Sequence, residues 1–240
     1  MMTTGEHQRI FAIGDLHLPG GADKSMDVFG AHWEGHFERI AEDWKAMVTP
    51  ADVVLIPGDI SWAMRLEDAL PDLEAIAALP GDKVMIRGNH DYWWNSIGKV
   101  RGSLKPGLYA LQNDAVRLGD TVCCGSRGWL IPGETADADT RKIYARELLR
   151  MELSLQQGSK LLDEKSRLVV MIHFPPCDEL GRENEMTRLF EHYGVHDVVY
   201  GHLHGAAGAH AFSGTQRGIS YHPVSCDGLG FRLYELPVSS

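Results

Sequence analysis

Cysteine is scarce in this sequence and poorly spaced for chemistry. Cys123, Cys124, Cys177 and Cys226 are the only four in 240 residues, and no two form a C-x-x-C pair. Adjacent Cys123 and Cys124 on a strand would point to opposite faces. That pattern disfavours both a disulfide framework and a thiolate metal site, and leaves reduced, buried thiols as the expectation. Positive charge is also short. Lys and Arg number 23 against 33 Asp and Glu, a formal net charge of −10. Nonspecific binding to long nucleic acid or anionic membranes usually needs a basic surface, so neither partner is expected. No uninterrupted apolar stretch is long enough to cross a bilayer, and Met1-Met2-Thr3-Thr4-Gly5-Glu6 lacks the regions of a signal peptide. The reading is a cytoplasmic protein. No G-x-x-x-x-G-K-S/T or G-x-G-x-x-G follows a strand, and the G-x-S-x-G elbow of a Ser-His-Asp hydrolase is missing.

What is present fits one soluble domain spanning residues 1–240, with 44% hydrophobic and 23% charged residues. Short apolar runs predict strands at Ile10–Ile13, Val53–Ile56, Val84–Ile86, Thr121–Cys124, Leu168–Ile172 and Asp197–Tyr200. Most are apolar throughout, as in strands covered on both faces. Two further strands, Ile219–Val224 and Phe231–Leu236, flank a Gly-rich turn at Asp227-Gly228-Leu229-Gly230. Helical stripes run through Phe37, Ile40, Trp44 and Val48, through Leu66, Leu70, Leu73 and Ala77, through Tyr144, Leu148, Met151 and Leu155, and through Met186, Leu189, Phe190 and Tyr193. Pro50, Pro80 and Gly158 fall near where three of these stripes stop. Strand–helix alternation in the first half predicts parallel pairing through right-handed crossovers, and the closer strands of the second half predict antiparallel pairs. Residues 127–140 read as a long loop entering a helix, a segment suited to a lid.

Five of the strand-like runs end in a knot of Gly, Asp, Asn or His. These are Gly14-Asp15-Leu16-His17, Gly58-Asp59, Gly88-Asn89-His90-Asp91, the His173 that follows Ile172, and Gly201-His202-Leu203-His204. In open α/β sheets, ligands bind beyond the carboxyl ends of the strands, where such knots lie. On extended chain, Asp15 and His17 would share one side, and so would His202 and His204. Taken alone, each knot has a plainer reading: a solvent-facing turn at Asp15–His17, a cap at Asp59, a tight turn at Gly88–Asp91, a satisfied core residue at His173. Together they bring nitrogen and oxygen donors to one sheet edge, in a fixed order.

That ordered series resembles the complete motif set of the calcineurin-like metallophosphoesterases, over roughly residues 10–204, with no motif position departing from the pattern. The segments around Pro57–Met64 and Arg87–Trp94 are similar to a bacterial branch of phosphohydrolases. The resemblance implies an α/β fold of four layers, αββα, with two mixed β-sheets packed face to face and helices outside. It also implies two metal ions, with Asp15, His17 and His204 on the first, Asn89, His173 and His202 on the second, and Asp59 bridging them. Such N and O donors without thiolate suit manganese, iron or zinc.

The same resemblance implies attack on a phosphate mono- or diester by a metal-bound hydroxide, with His90 assisting the leaving group and Asp91 orienting His90. The expected substrate is a small phosphorylated molecule, with nucleotides and phosphoproteins among the candidates. Oligomeric state is not legible. Trp62, Trp93, Trp94, Trp129, Arg65 and Arg127 lie near the motif loops or the 127–140 segment and serve either recognition or packing at the rim. The competing reading is an inactive binding or scaffold protein on the same fold. Such a protein would be expected to lose ligands or the acid histidine, and here all are present.

Overall fold

Short strands that are apolar on every residue can be buried on both faces, and this fold uses them so. The computed structural model describes residues 8–21 and 30–238; the expected lack of a signal peptide concerns residues 1–6, outside this range. The first sheet has the order β11-β1-β2-β3-β4. Its strands are β1 Ile10–Ala12, β2 Val53–Ile56, β3 Asp82–Ile86, β4 Leu108–Leu111 and β11 Tyr234–Glu235. β1 to β4 pair in parallel, and β11 closes the edge antiparallel to β1. The second sheet has the order β5-β6-β7-β8-β10-β9. It is built from β5 Ala115–Leu118, β6 Thr121–Ser126, β7 Arg167–Ile172, β8 Asp197–Tyr200, β9 Gly214–Gln216 and β10 Ile219–Pro223. β6, β7, β8 and β10 run parallel, with β5 and β9 antiparallel at the edges.

Alternation along each strand divides the core in three. Ala12, Leu55, Val84, Cys123, Val169 and Val199 fill the space between the sheets. Phe11, Val54 and Met85 face outward, against Ile40 and Trp44 of α1 (His36–Met47), Leu73 of α2 (Leu66–Ala77) and Val100 of α3 (Ile97–Ser103). Cys124, Val170 and Val198 face the other way, against Met151 and Leu155 of α4 (Ala138–Ser159) and Phe190 of α5 (Glu185–His192). Each fully buried Leu, Ile or Phe contributes about 1.5–3 kcal/mol relative to exposure. The result is the expected four-layer sandwich of two mixed sheets flanked by helices. Cys123 and Cys124 do point to opposite faces, and all four cysteines are free and buried.

The ends of the elements have local causes. The Asp137 side chain accepts a hydrogen bond from the Thr140 backbone N–H and starts α4, and Asn184 caps α5 in a reciprocal capping box with Thr187. Gly158 lies near the end of α4 as expected, one residue before the last. It lies inside the helix, where an added Cβ would come 2.2 Å from Cys124 Sγ, so its role is close helix–sheet approach. Between β6 and α4, residues 127–137 form an irregular segment anchored at both ends. Arg127 O accepts from the His173 and Phe174 backbone N–H groups, and the Arg141 guanidinium donates to Gly133 O and Glu134 O. No helix among the described residues is long and apolar enough to cross a membrane.

Candidate metal centre

β1, β2 and β3 are parallel neighbours in one sheet, and β7 and β8 are parallel neighbours in the other. Their carboxyl ends therefore deliver the five knots to a common edge of the sandwich. Glycines let the loops close on one another there. A Cβ on Gly88 would lie 2.1 Å from Asp59 Oδ1, and one on Gly201 would lie 2.3 Å from Asp15 Oδ2. Cross-loop hydrogen bonds fix the carboxylates: the His202 N–H donates to Asp15 Oδ1 at 3.0 Å, and the His90 N–H donates to Asp59 Oδ1 at 2.8 Å. The first of these ties the two sheets together at the site.

The local backbone is not the extended chain expected from the sequence. Asp15 (φ 57°), His17 (φ 46°), Asp59 (φ 51°) and His202 (φ 75°) all adopt positive φ. Non-glycine residues rarely do so, and concentrations of such strain occur at functional sites. The turn of the chain, rather than strand alternation, aims these side chains. His202 and His204 consequently serve two different groups of donors.

On one side, Asp15, His17 and His204 bring ligand atoms within 4.8 Å of one another. His17 Nε2 lies 3.4 Å from His204 Nε2, which is 3.7 Å from Asp15 Oδ1. On the other side, His173 Nε2 lies 2.6 Å from Asn89 Oδ1 and 3.3 Å from His202 Nδ1. His202 Nδ1 is in turn 2.9 Å from Asn89 Oδ1. Asp59 stands between the groups, with Oδ2 3.4 Å from His173 Nε2 and 3.9 Å from His17 Nε2. All seven sequence-derived ligand candidates thus meet in one place.

The electrostatics fit cations. Asp15, Asp59 and Asp91 are buried, and among the described residues no Lys or Arg pairs with any of them within 4 Å. Burial, then the charges of Asp91 and Asp15, push Asp59 up to about 9. Burial raises Asp15 to about 6, against the pull of His204. Burial also holds His17 and His173 well below the ordinary histidine value. His173 Nδ1 donates to Pro57 O at 3.0 Å, so its neutral ring turns the Nε2 lone pair toward the oxygens of Asn89 and Asp59. Lone pairs facing lone pairs around uncompensated carboxylates are what cations relieve.

One important residue escaped the sequence reading. Asp227 accepts from His204 Nδ1 at 2.9 Å and from the Gly205 N–H at 2.9 Å. This fixes the tautomer that leaves His204 Nε2 free for the site. Burial works against charge on His204, but the Asp227 hydrogen bond and the charges of Asp15 and Asp227 outweigh it and raise its pKa. Asp227 appeared in the sequence only as part of a Gly-rich turn. That turn belongs to the passage from β10 in one sheet to β11 in the other, which runs beside Gly14 through the Gly14 N–H to Val224 O bond of 2.7 Å.

The expected partnership of Asp91 with His90 is corrected. Asp91 accepts from the backbone N–H groups of Ile60 (2.8 Å), Ser61 (3.1 Å) and Gly88 (2.7 Å) and from Trp93 Nε1 (3.0 Å). His90 Nδ1 is buried with no hydrogen-bond partner. Asp91 therefore staples the β2 and β3 loops together, and packing orients His90: its ring lies 4.6 Å from that of Trp62 and 5.8 Å from that of His17. Among the flagged aromatics, Trp93 and Trp94 are fully buried core residues. Trp62 stacks on His17 at 4.8 Å, and Trp129 carries Arg127 at 4.7 Å and packs on Phe174. Arg65 is an exposed residue beside Glu67. A cleft of about 310 Å³ opens over the centre, lined by His32, Trp33 and Trp62 together with His17, Asp59, His90 and His204.

Residues 8–206 match the profile of a protein family described as calcineurin-like phosphoesterase. Among solved structures, the chain is similar to phosphopantetheinyl hydrolase from Mycobacterium tuberculosis, at 14% identity and a TM-score of 0.57, over 97% of this chain and 96% of that one. It is also similar to a protein of unknown function from Aquifex aeolicus, at 12% identity and a TM-score of 0.48, over 95% and 96% of the two chains. At such identity, the first of these likenesses shows the fold alone. Comparison with curated protein sequences finds no match.

Proposed function

The chain belongs to the calcineurin-like phosphoesterase family, and from that premise we propose that it is a metal-dependent hydrolase of phosphate mono- or diesters in small phosphorylated molecules. The observation that carries this reading is the position of Asp59 between two donor groups. Asp15, His17 and His204 would hold one ion, Asn89, His173 and His202 the other, with Asp59 shared. The all-nitrogen-and-oxygen donor set suits manganese, iron or zinc. Two such ions, when bound, supply Lewis acidity to activate water and to offset charge on the phosphoryl oxygens.

The protein's own groups do the rest. His90 stands in the cleft wall, outside both donor groups, where it can donate a proton to the departing oxygen. Burial, then the His204 charge, lowers its pKa, so the resting ring is neutral at neutral pH. A bound phosphoester, being negative, acts in the opposite sense and favours the protonated form. Asp91 keeps the His90 loop in register with the Asp59 loop through its four accepted hydrogen bonds. Trp33 and Trp62 offer apolar faces to the organic part of the substrate.

The test is a pair of assays on the purified protein with added Mn²⁺, one on a chromogenic phosphate monoester and one on a diester. Turnover of either supports the proposal, and the preference defines the subclass. Inactivity on both with metal bound contradicts it.

A further inference from the structure

A second cavity, of about 280 Å³, shares no lining residue with the metal cleft. Arg87, Arg127, Arg146 and Arg150 line it, with Glu147 as its one carboxylate. In a chain of net charge −10 this is a marked local excess of positive charge. The four arginines come from different parts of the fold. Arg87 follows β3, Arg127 follows β6, and Arg146 and Arg150 sit one turn apart on α4. Glu147 Oε1 takes a 2.6 Å bond from Arg150 Nη1. Among the described residues, no carboxylate pairs with Arg87, Arg127 or Arg146 within 4 Å.

The wall also holds polar atoms with nothing to bind. Ser126 is 3% exposed and Glu147 fully buried, yet Ser126 Oγ, Glu147 Oε2 and Arg87 Nε are buried without a hydrogen-bond partner. Leaving such groups unsatisfied is costly, most of all when they are charged. Arg127 feels the crowding: burial first, and then Arg87, Arg150 and Arg146 against the pull of Glu147, hold it below the ordinary arginine range. Four converging guanidinium forks and a free hydroxyl against a single carboxylate, Glu147, leave an excess of positive charge that matches a tetrahedral oxyanion of two or more charges.

We propose that the cavity between β3, β6 and α4, lined by Arg87, Ser126, Arg127, Arg146 and Arg150, is a binding site for a phosphate group, separate from the metal centre. Arg127 O accepts the His173 backbone N–H, and Arg87 stands two residues before Asn89, so the site adjoins the loops of the metal centre. Its phosphate is either a second phosphate of the substrate or that of a separate effector.

Calorimetric titration of pyrophosphate into the full chain, metal-loaded and chelator-treated, tests the site. We expect saturable binding that survives chelation and weakens at least tenfold in Arg127→Ala and in Arg146→Glu. Arg146 is exposed on α4, so its variant keeps the test open if Arg127→Ala fails to fold. Binding that vanishes with the metal, binding unchanged in both variants, or no saturable binding at all overturns the proposal. Because the readout is binding without metal, its failure is distinct from failure of the hydrolase reading. A kinetic arm separates the sources. If the phosphate is the substrate's own, Arg146→Glu raises KM for a nucleoside bisphosphate and spares a simple monoester. If it is an effector's, pyrophosphate alters monoester turnover in the wild type and not in Arg146→Glu. A variant that changes neither, after losing pyrophosphate affinity, still upholds the site and rejects both roles at the centre.

Discussion

His204 donates from Nδ1 to the carboxylate of Asp227 across 2.9 Å, and so turns Nε2 toward His17 and Asp15. The bond joins the β8 loop to the passage between the two sheets, and it decides which ring nitrogen is available. Outer partners of metal-binding histidines are typically worth ~10–100-fold in affinity. Asp227→Ala is expected to lose Mn²⁺ affinity by about that factor, measured by competition with a chelating dye. An unchanged affinity would reject the positioning role of Asp227.

His90 lies outside the ligand groups, so its loss should separate metal binding from turnover. His90→Ala is expected to keep its metal content and lose ~10²–10⁴ in kcat, the usual worth of general acid–base assistance. Metal analysis and steady-state kinetics on the same preparation check this. Undiminished hydrolysis would reject the assignment.

Metal-free protein should have a distinctive pH response. Asp59 is raised to about 9 in the folded chain, from an ordinary carboxylate value of roughly 3.9 when unfolded. A raised group contributes stability that is complete below the unfolded value and is lost as pH rises through the folded one. Asp15 does the same around 6. His17 and His173 are lowered, so their contributions are lost as pH falls, and they act below the ordinary histidine value of about 6.5. His204 is raised and so acts in the same direction as Asp59 above its ordinary value, and from about pH 7 to 9 the two site residues act together. The melting temperature of chelated protein should fall over that interval, while that of metal-loaded protein holds steady. Parallel curves would contradict the assignment of Asp59 as the shared ligand.

Gly158 tests the packing of α4 on the second sheet. Its Cβ would meet Cys124 Sγ at 2.2 Å, whereas a Cβ on Gly133 would meet nothing within 4 Å. Gly158→Ala is expected to destabilise by about 1–3 kcal/mol, as overpacking does. Gly133→Ala should be neutral. Urea denaturation compares them.

The sequence exposes the parts of this molecule that follow from local pattern. β2 and β8 fall where their apolar runs begin and end, because both faces of each strand are buried. Strands β4, β5 and β9 and helix α3 were not foreseen. β5 is half-buried along its length, β9 is a largely exposed edge, and α3 carries Gly98 and Gly102 in a weak apolar repeat. At the site, residue identity and order carried the family resemblance, and it was the resemblance that implied the seven ligand candidates. Three-dimensional contacts were needed for the rest: the positive φ angles that aim four of them, the Asp227 contact made across 23 positions in sequence, and the use of Asp91 as a loop staple.

The central claim is that these side chains hold a pair of ions needed for phosphoester hydrolysis. The most direct measurement is turnover of a chromogenic phosphoester as chelated protein is titrated with Mn²⁺, with bound metal counted at each point. Activity should be absent without metal and reach its plateau at about two ions per chain, the loading of a two-metal site. Full activity in metal-free protein, or none at any loading, would contradict the account.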